Sequence, residues 1–536
     1  MTAVRDNTPL LDSCRTWAAG SPVAAGPSLE VARAANSRVL FASSEMFPLA
    51  KTGGLADVSA ALPTALAGLG VDIRLVMPGY VEALDRTRHV GERIPLGDLN
   101  GLGIASLIPA RMPDSGLPLW LVDCPPLFRR SGGIYVDDEG RDWPDNALRF
   151  ALFCHAVRRI ALGATGWRPE VVHLNDWHLG LVPALLAAQP NPRPATLLTI
   201  HNLAFQGVFP AEVFPHLGLP SEWFTTDGVE FYGGVSFLKA GIRFADRVTT
   251  VSPRYAGEIL TPEFGCGLDG LLRARADDLV GILNGIDYDS WTPEDRAGLP
   301  HPYSVHDLSG KHLCKTALQN ELGLEADPDV PVIAYISRLT EQKMADVLPQ
   351  IGATIANEGA QLAICGDGDH SIEEALRTLE PRFPRRIAVR VGYEEAIARR
   401  FLAGADMLAA PARFEPCGLM QMYAMRFGTI PVVREIGGLA DTVVGHQAHM
   451  QCNATGFVFQ PPTAPALAEA IGRACALFRE PVAWRAMQSR AMLHDFSWRR
   501  SAERYRSLYV ELADRDDDGL ATRGRTSASQ LCLTAP

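Results

Sequence analysis

Short apolar, β-branched runs alternate with helical stretches along this chain in two successive series, a pattern that predicts parallel sheets covered by helices on both faces. The first series opens at Arg38-Val-Leu-Phe-Ala42. It continues through Asp72 to Met77, Leu119 to Val122, Val171 to Leu174, Ala195 to Ile200 and Arg247 to Val251, and closes near Val280 to Leu283. The second runs from Val332 to Ile336 through Gln361 to Cys365, Ile387 to Val391, Asp406 to Ala409 and Thr429 to Val433. At 536 residues the chain exceeds what one hydrophobic core usually takes, so two doubly wound α/β domains are expected. Ligands bind beyond the carboxyl ends of such strands, and two such domains facing one another make a cleft. The Pro/Asp-rich stretch from Asp287 to Asp307 reads as their connection.

Charge and cysteine usage narrow the partners. With 50 Lys and Arg against 61 Asp and Glu, the formal charge of −11 leaves no global basic field for nucleic acid or anionic lipid. Any anionic ligand must be held by a local cluster. The 10 Cys form no CxxC pairs, which favours a reducing compartment, by default the cytoplasm, and argues against structural zinc. No apolar run approaches a membrane span, so no membrane partner is expected. Residues 1–36 carry balanced charges without a signal-peptide core and read as a flexible extension; residues 514–536 read as a disordered tail.

Three segments at strand ends carry the chemistry. In Ala412-Arg-Phe-Glu-Pro-Cys-Gly-Leu-Met420, one carboxylate, Glu415, precedes a helix read over Leu419 to Phe427, whose free N–H groups would attract a diphosphate. Ser44 to Val58 follows the first strand. There Gly53 and Gly54 permit close backbone approach and Lys51 supplies a mobile cation, although it is neither a Walker A nor a GxGxxG sequence. Ser337-Arg-Leu-Thr-Glu-Gln-Lys343 places Arg338 and Lys343 where two cations would suit a departing diphosphate. Read singly, the first is equally an ordinary loop-to-helix junction and the second equally a glycine turn, while the third could be a solvated basic loop, a reading its position at a strand's carboxyl end weakens. Asp176, Trp177, His201 and Asn202 follow strands of the first series and would line the same cleft. Their spacing is not that of a metal site, and no metal is expected. Asn284-Gly-Ile-Asp287 alone says only that the chain turns.

Taken in order, the pieces resemble the bacterial glycogen synthase and plant starch synthase family from about Arg38 to Tyr509. They are Lys51-Thr-Gly-Gly-Leu55, Trp143 to Phe150, Asn175-Asp-Trp-His178, His201-Asn202, Leu283 to Asp287, Ser337 to Lys343, Arg413 to Leu419 and Gly437 to Thr442. The resemblance implies a GT-B glycosyltransferase: two Rossmann-like domains facing a deep cleft, 37–290 for the acceptor and 326–495 for the nucleotide sugar, with 291–325 as linker. Residues 496–513 would form a helix returning to the first domain. It implies retaining transfer of glucose from ADP-glucose to the non-reducing end of an α-1,4-glucan, with no cofactor beyond the donor and oligomeric state open.

By motif position the resemblance assigns Glu415, Lys343, Arg338, His201 and Asp176 to the reaction. Lys51, Gly53, Gly54, Asn202, Asn284, Gln342, Cys417, Gly418 and Leu419 would bind the donor nucleotide-sugar, while Tyr135 and Trp177 would contact sugar. Physically, transfer builds negative charge on the leaving diphosphate, which Arg338 and Lys343 would stabilise. No second carboxylate pairs with Glu415, since Tyr423 stands eight residues on; this favours front-face displacement with the leaving phosphate taking the acceptor's proton. Three departures stand out. Met344 and Met420 replace the usual Gly and Thr, and Ala412 the common Ser; a thioether at 420 cannot donate to a phosphate. A weakly active glucan-binding scaffold is therefore an alternative reading, and a transferase using UDP-glucose is another, because no residue singled out reads the base.

Overall fold

The computed structural model describes residues 37–189, 192–446 and 453–517. The expected extension at 1–36 and most of the expected tail lie outside these. The first part of the chain supplies β1 (Arg38–Ala42), β2 (Asp72–Pro78), β3 (Arg88–His89), β4 (Ile94–Asp98), β5 (Ile104–Arg111), β6 (Pro118–Asp123), β7 (Val171–Asn175) and β8 (Ala195–Ile200). A small sheet of β9 (Val208–Pro210), β10 (Glu230–Phe231) and β11 (Gly234–Ser236) interrupts the series before β12 (Arg247–Thr250) and β13 (Leu279–Gly281). The main sheet runs in the order β13-β12-β8-β7-β1-β2-β6-β5-β3, with β4 alongside β5. From β13 to β6 it is parallel, and β7 and β8 are buried along their whole length, as strands covered on both faces must be. The antiparallel edge of β3, β4 and β5 was not expected. Pro95, Gly97 and Pro109 break the alternation there, and Pro and Gly are tolerated near a sheet's edge.

The second sheet is parallel and six-stranded: β14 (Val332–Ile336), β15 (Gln361–Gly366), β16 (Ile387–Val391), β17 (Met407–Ala410), β18 (Ile430–Arg434) and β19 (Phe457–Phe459), ordered β16-β15-β14-β17-β18-β19. The chain thus winds one way from β1 through β2 and the other from β7, and likewise one way from β14 and the other from β17. The gaps beyond β1/β7 and β14/β17 are topological switch points, where open sheets leave crevices.

Residues 291–325, expected to be a linker, are packed. Trp291, Leu299 and Tyr303 belong to the second hydrophobic core, and the helix Ser309–Glu321 buries Cys314 and Leu318 in it. Local Pro/Asp composition hid aromatic residues whose partners lie far along the chain. The chain crosses back beside the first crossing, where Ile286 N donates to Phe496 O at 2.8 Å. The helix Trp498–Asp517 then lies on the first domain, burying Tyr505 and Tyr509. It extends to Asp517, past the expected end at 513. The Tyr509 hydroxyl meets His173 Nδ1 at 2.7 Å, beneath the first switch point.

Candidate functional site

At the first switch point, the loop after β1 is organised by Glu45, which local pattern did not single out. Its buried carboxylate accepts from Thr52 N (2.7 Å), Thr52 Oγ1 (2.7 Å), Gly53 N (3.3 Å) and the Tyr135 hydroxyl (2.8 Å). Four donors on one carboxylate hold the Lys51–Gly54 turn against the loop bearing Tyr135. Tyr135 also bonds Ser44 Oγ at 2.7 Å and stacks on His178 with centroids 4.7 Å apart. Lys51 Nζ donates to Asp57 Oδ1 at 2.7 Å, in the first turn of the helix Gly54–Gly68. Burial raises the Asp57 carboxyl while Lys51 pulls it back.

Beyond β7, Asp176 takes φ 62° and ψ −176°, a region essentially reserved for glycine, and such strain persists only where surroundings over-determine it. Here its N donates to Thr199 O at 2.9 Å, and its Oδ1 accepts His201 N at 2.9 Å. Burial pushes its carboxyl up to about 7, partly opposed by the N–H groups of His201 and Asn202. His201 sits in low-dielectric surroundings that bring its ring down to about 3, although its edge is partly accessible. Asn175 Nδ2 already donates to Ala42 O at 2.9 Å, so Asn175 Oδ1 must accept from His201 Nε2 at 2.9 Å. That fixes a neutral tautomer with a lone pair on Nδ1. Asn202 Oδ1 accepts Ala204 N at 3.0 Å. Trp177 is half-buried, packed on His178 (4.0 Å) and Phe150 (5.1 Å).

At the second switch point, Lys343 follows β14 and Glu415 follows β17, and their side chains form an ion pair. Arg338 is exposed and meets no carboxylate among the described residues. The two loops are stapled together: Arg413 N donates to Gln342 O at 2.8 Å, Gln342 Nε2 to Phe414 O at 3.3 Å, and Arg413 grips Asp346 with two bonds of 2.7 and 2.8 Å. Gln342 is therefore engaged by its own domain. The helix after Glu415 spans Met420–Arg426, a residue shorter at each end than expected. Gln421 supports its start by donating to Gly418 O at 2.9 Å and Cys417 O at 3.1 Å. Met420 begins the helix half-buried against the second core, offering no hydroxyl. Met344 explains why a glycine is usual after Lys343, since its φ of 54° and ψ of 31° are left-handed. Tyr423 is stacked on Trp291 at 3.9 Å.

The two halves meet. A methyl added to Gly54 would lie 3.7 Å from Leu419 Cδ1, which brings the glycine turn of the first domain against the helix start of the second. Asn284 N–H reaches the Cys417 thiol, and the buried Asn284 Oδ1 has no protein partner among the described residues. Gly437 and Gly438 press on the loop Glu415 to Cys417 so closely that a Cβ at Gly437 would lie 1.9 Å from Glu415 O and one at Gly438 2.1 Å from Cys417 O. Glu258 and Asp441, not anticipated from sequence, tie that corner to the first domain. Glu258 accepts Gly437 N at 3.0 Å, while Asp441 accepts Ser252 Oγ at 2.5 Å and Arg254 N at 2.9 Å. Among the described residues no group of three or more His, Cys, Asp or Glu could hold a metal ion, and no helix is long and apolar enough to cross a membrane.

Comparison with known proteins bears on the family and the fold. The family model for the starch synthase catalytic domain matches residues 38–274, and that for group 1 glycosyl transferases matches 330–476. A glycogen synthase of Burkholderia thailandensis is 51% identical over 500 residues, covering 92% of this chain and 94% of its own. One from Paramagnetospirillum magneticum is 50% identical over 481 residues, covering 89% and 97%. The catalytic domain of starch synthase IV from Arabidopsis thaliana, solved bound to ADP and acarbose, superposes with a TM-score of 0.80 at 30% identity, over 89% of this chain and 99% of that one. Sucrose-phosphate synthase from Thermosynechococcus elongatus, at 19% identity and a TM-score of 0.55 over 89% of this chain and 99% of that one, shares the two-domain fold. With identity near half spread over nearly all of both chains, and the same pair of domains about the same cleft, this chain belongs to the glycogen synthase family of glycosyltransferases.

Proposed function

We propose that the cleft transfers glucose from ADP-glucose to the non-reducing end of an α-1,4-glucan with retention of configuration. The observation that carries this reading is the Lys343–Glu415 pair at one switch point, with Asp176 and His201 paired at the other. Lys343, Arg338 and the start of the helix Met420–Arg426 put positive charge where a diphosphate departs. This makes a metal unnecessary to the reading. Glu415, released from Lys343 when phosphate takes the ammonium, accepts from glucose hydroxyls. The Nδ1 lone pair of neutral His201 accepts from a hydroxyl of the transferred sugar, beside Asn202. Ionised Asp176 faces the reacting end, where positive charge develops on the ring. Lys51, Gly53, Gly54, Asn284, Cys417, Gly418 and Leu419 close around the donor, while Tyr135 and Trp177 shape the sugar's wall. Gln342 acts by holding Phe414.

With no second carboxylate paired with Glu415, the leaving phosphate oxygen takes the proton of the attacking hydroxyl as that hydroxyl bonds to the same face of the sugar. Support for adenine as the donor's base comes from the starch synthase relative solved with ADP. A cytoplasmic location fits the seven described cysteines, all free thiols, and the bacterial glycogen synthases among the relatives. Incubation with glycogen and labelled ADP-glucose or UDP-glucose tests the reading. Incorporation from ADP-glucose in clear preference is expected. Equal or better turnover of UDP-glucose rejects the donor, and glycogen binding without incorporation from either supports a scaffold.

A further inference from the structure

Past Asn202 the chain leaves the carboxyl edge of the first sheet for the small sheet β9 to β11, whose tip has an unusual composition. Tyr232 and Gly233 join β10 to β11 with φ of 49° and 82°, the two-residue hairpin pattern in which Asn-Gly or Asp-Gly is most favourable. A bulky side chain in that conformation is strained. Burial does not compensate, because Tyr232 is 85% exposed. Its ring is nevertheless braced. A Cβ on Gly267 would lie 3.3 Å from Tyr232 Cε2 and 3.2 Å from Phe231 Cζ, so the bare backbone at 267 makes room for the pair.

The strip continues toward the reaction centre. Gln206 Nε2 donates to Cys266 O at 2.9 Å, next to Gly267; Phe205 beside it is 51% exposed, and its N donates to Asn202 O at 3.2 Å. Val208, 49% exposed, adds an apolar side chain. Phe237 N and Leu238 N bond Gly207 O and Gln206 O at 3.0 and 3.1 Å, which ties the strip to the start of the helix Phe237–Phe244. That helix descends to β12, so its start lies at the carboxyl end of the sheet, on the cleft side. Scattered apolar residues on a surface need no explanation, but a strained, braced and uncovered tyrosine continuous with a site loop does.

We propose that Tyr232, with Phe205 between it and Asn202, is a stacking platform for the acceptor glucan some distance back from its reacting end. This rests on the glucan-acceptor reading above. The match is chemical: a pyranose presents a C–H-rich face and hydroxyl edges, and a tyrosine an apolar ring face with a polar tip. Beside the ring, the Gln206 amide oxygen and the second carboxylate oxygen of Glu230, whose Oε1 accepts Gly233 N at 2.6 Å, could accept from the hydroxyls.

The test compares Tyr232→Phe, Tyr232→Ala and Tyr232→Asn. Asn suits the left-handed backbone and so separates loss of the ring from any change in the turn. In both ring-less variants KM for glycogen should rise about fivefold, the scale of one aromatic contact, with kcat and the KM for ADP-glucose within about twofold. Tyr232→Phe should stay within about twofold of wild type, and the rise should be smaller for maltotriose than for glycogen. An unchanged glycogen KM, or an equal rise for maltotriose, overturns the proposal. Electrophoresis through glycogen-containing gels reads binding without turnover. If the wild type incorporates no glucose yet its retardation depends on the Tyr232 ring, the functional reading fails and the platform stands; if retardation is the same in all variants, the platform fails.

Discussion

The ammonium of Lys343 is paired with the carboxylate of Glu415, 72 residues away in sequence and on the other side of the second sheet's switch point. Each holds the other in place, and in the proposed reaction each would meet one half of a nucleotide sugar. Glu415→Ala or Lys343→Ala should therefore lower kcat at least about a hundredfold, as expected when charge aimed at the transition state is removed. Both side chains keep some access to solvent, so the fold should survive. Near wild-type kcat at saturating donor, in either variant, would mean that residue has been assigned the wrong role.

Asp176 should set the acid limb of the pH profile. The rings of His173, His178 and His201 are all brought down by burial and stay neutral near neutrality, whereas the Asp176 carboxyl is pushed up to about 7. As the reading needs it ionised, kcat should rise with pH through about 7, and Asp176→Asn should both lower kcat and abolish that limb. The stability sign is opposite. A folded pKa above the unfolded value near 3.9 stabilises the fold at acid pH, and this contribution is lost as pH rises through about 7. A limb that persists in Asp176→Asn assigns the titration to another group.

Glu258 and Asp441 cap helices across the domain boundary, and Gly437, held by Glu258, abuts Glu415 O. Glu258→Ala should shift Glu415 relative to Asp176 and lower kcat roughly tenfold, since small misplacements are costly in group transfer. ADP affinity should change by no more than about threefold, because Lys343 and Arg338, proposed to meet the diphosphate, lie on the second domain. Glu258→Gln, which keeps an acceptor for Gly437 N, should restore most of kcat. Calorimetric ADP titration beside initial rates checks this, and a parallel loss of both points to general unfolding instead.

Met344→Gly pits backbone against packing. Glycine relieves a left-handed conformation worth roughly 1–2 kcal/mol. It also removes a fully buried thioether, and Met→Ala in a core costs about 2–5 kcal/mol. Packing should win, leaving the variant about 1–3 kcal/mol less stable in urea unfolding; a more stable variant shows that the backbone strain outweighs the packing.

The core strands and the positions of the loops that carry the candidate site were legible because both are local patterns. Buried parallel strands must be apolar over their length, as Ala195–Ile200 is, and the residues proposed for the site follow such strands, as His201 follows β8. Glu45 was not legible because one carboxylate in a loop means nothing until Thr52, Gly53 and Tyr135 converge on it. Trp291 and Tyr303 lie in a stretch whose Pro/Asp content reads as linker, and only their packing in the second core shows otherwise.

The amino-acid sequence by itself determined two α/β domains, the order of their strands along the chain and the side chains offered at each strand's end, since these depend on periodicity and neighbours. Tertiary structure alone decided that Lys343 meets Glu415, that Glu258 reaches Gly437, and that the Asp176 carboxyl sits near 7 while the His201 ring sits near 3. The physical reason is that ion pairs form between groups far apart along the chain, and a pKa answers to the burial and the donors that surround a group in space.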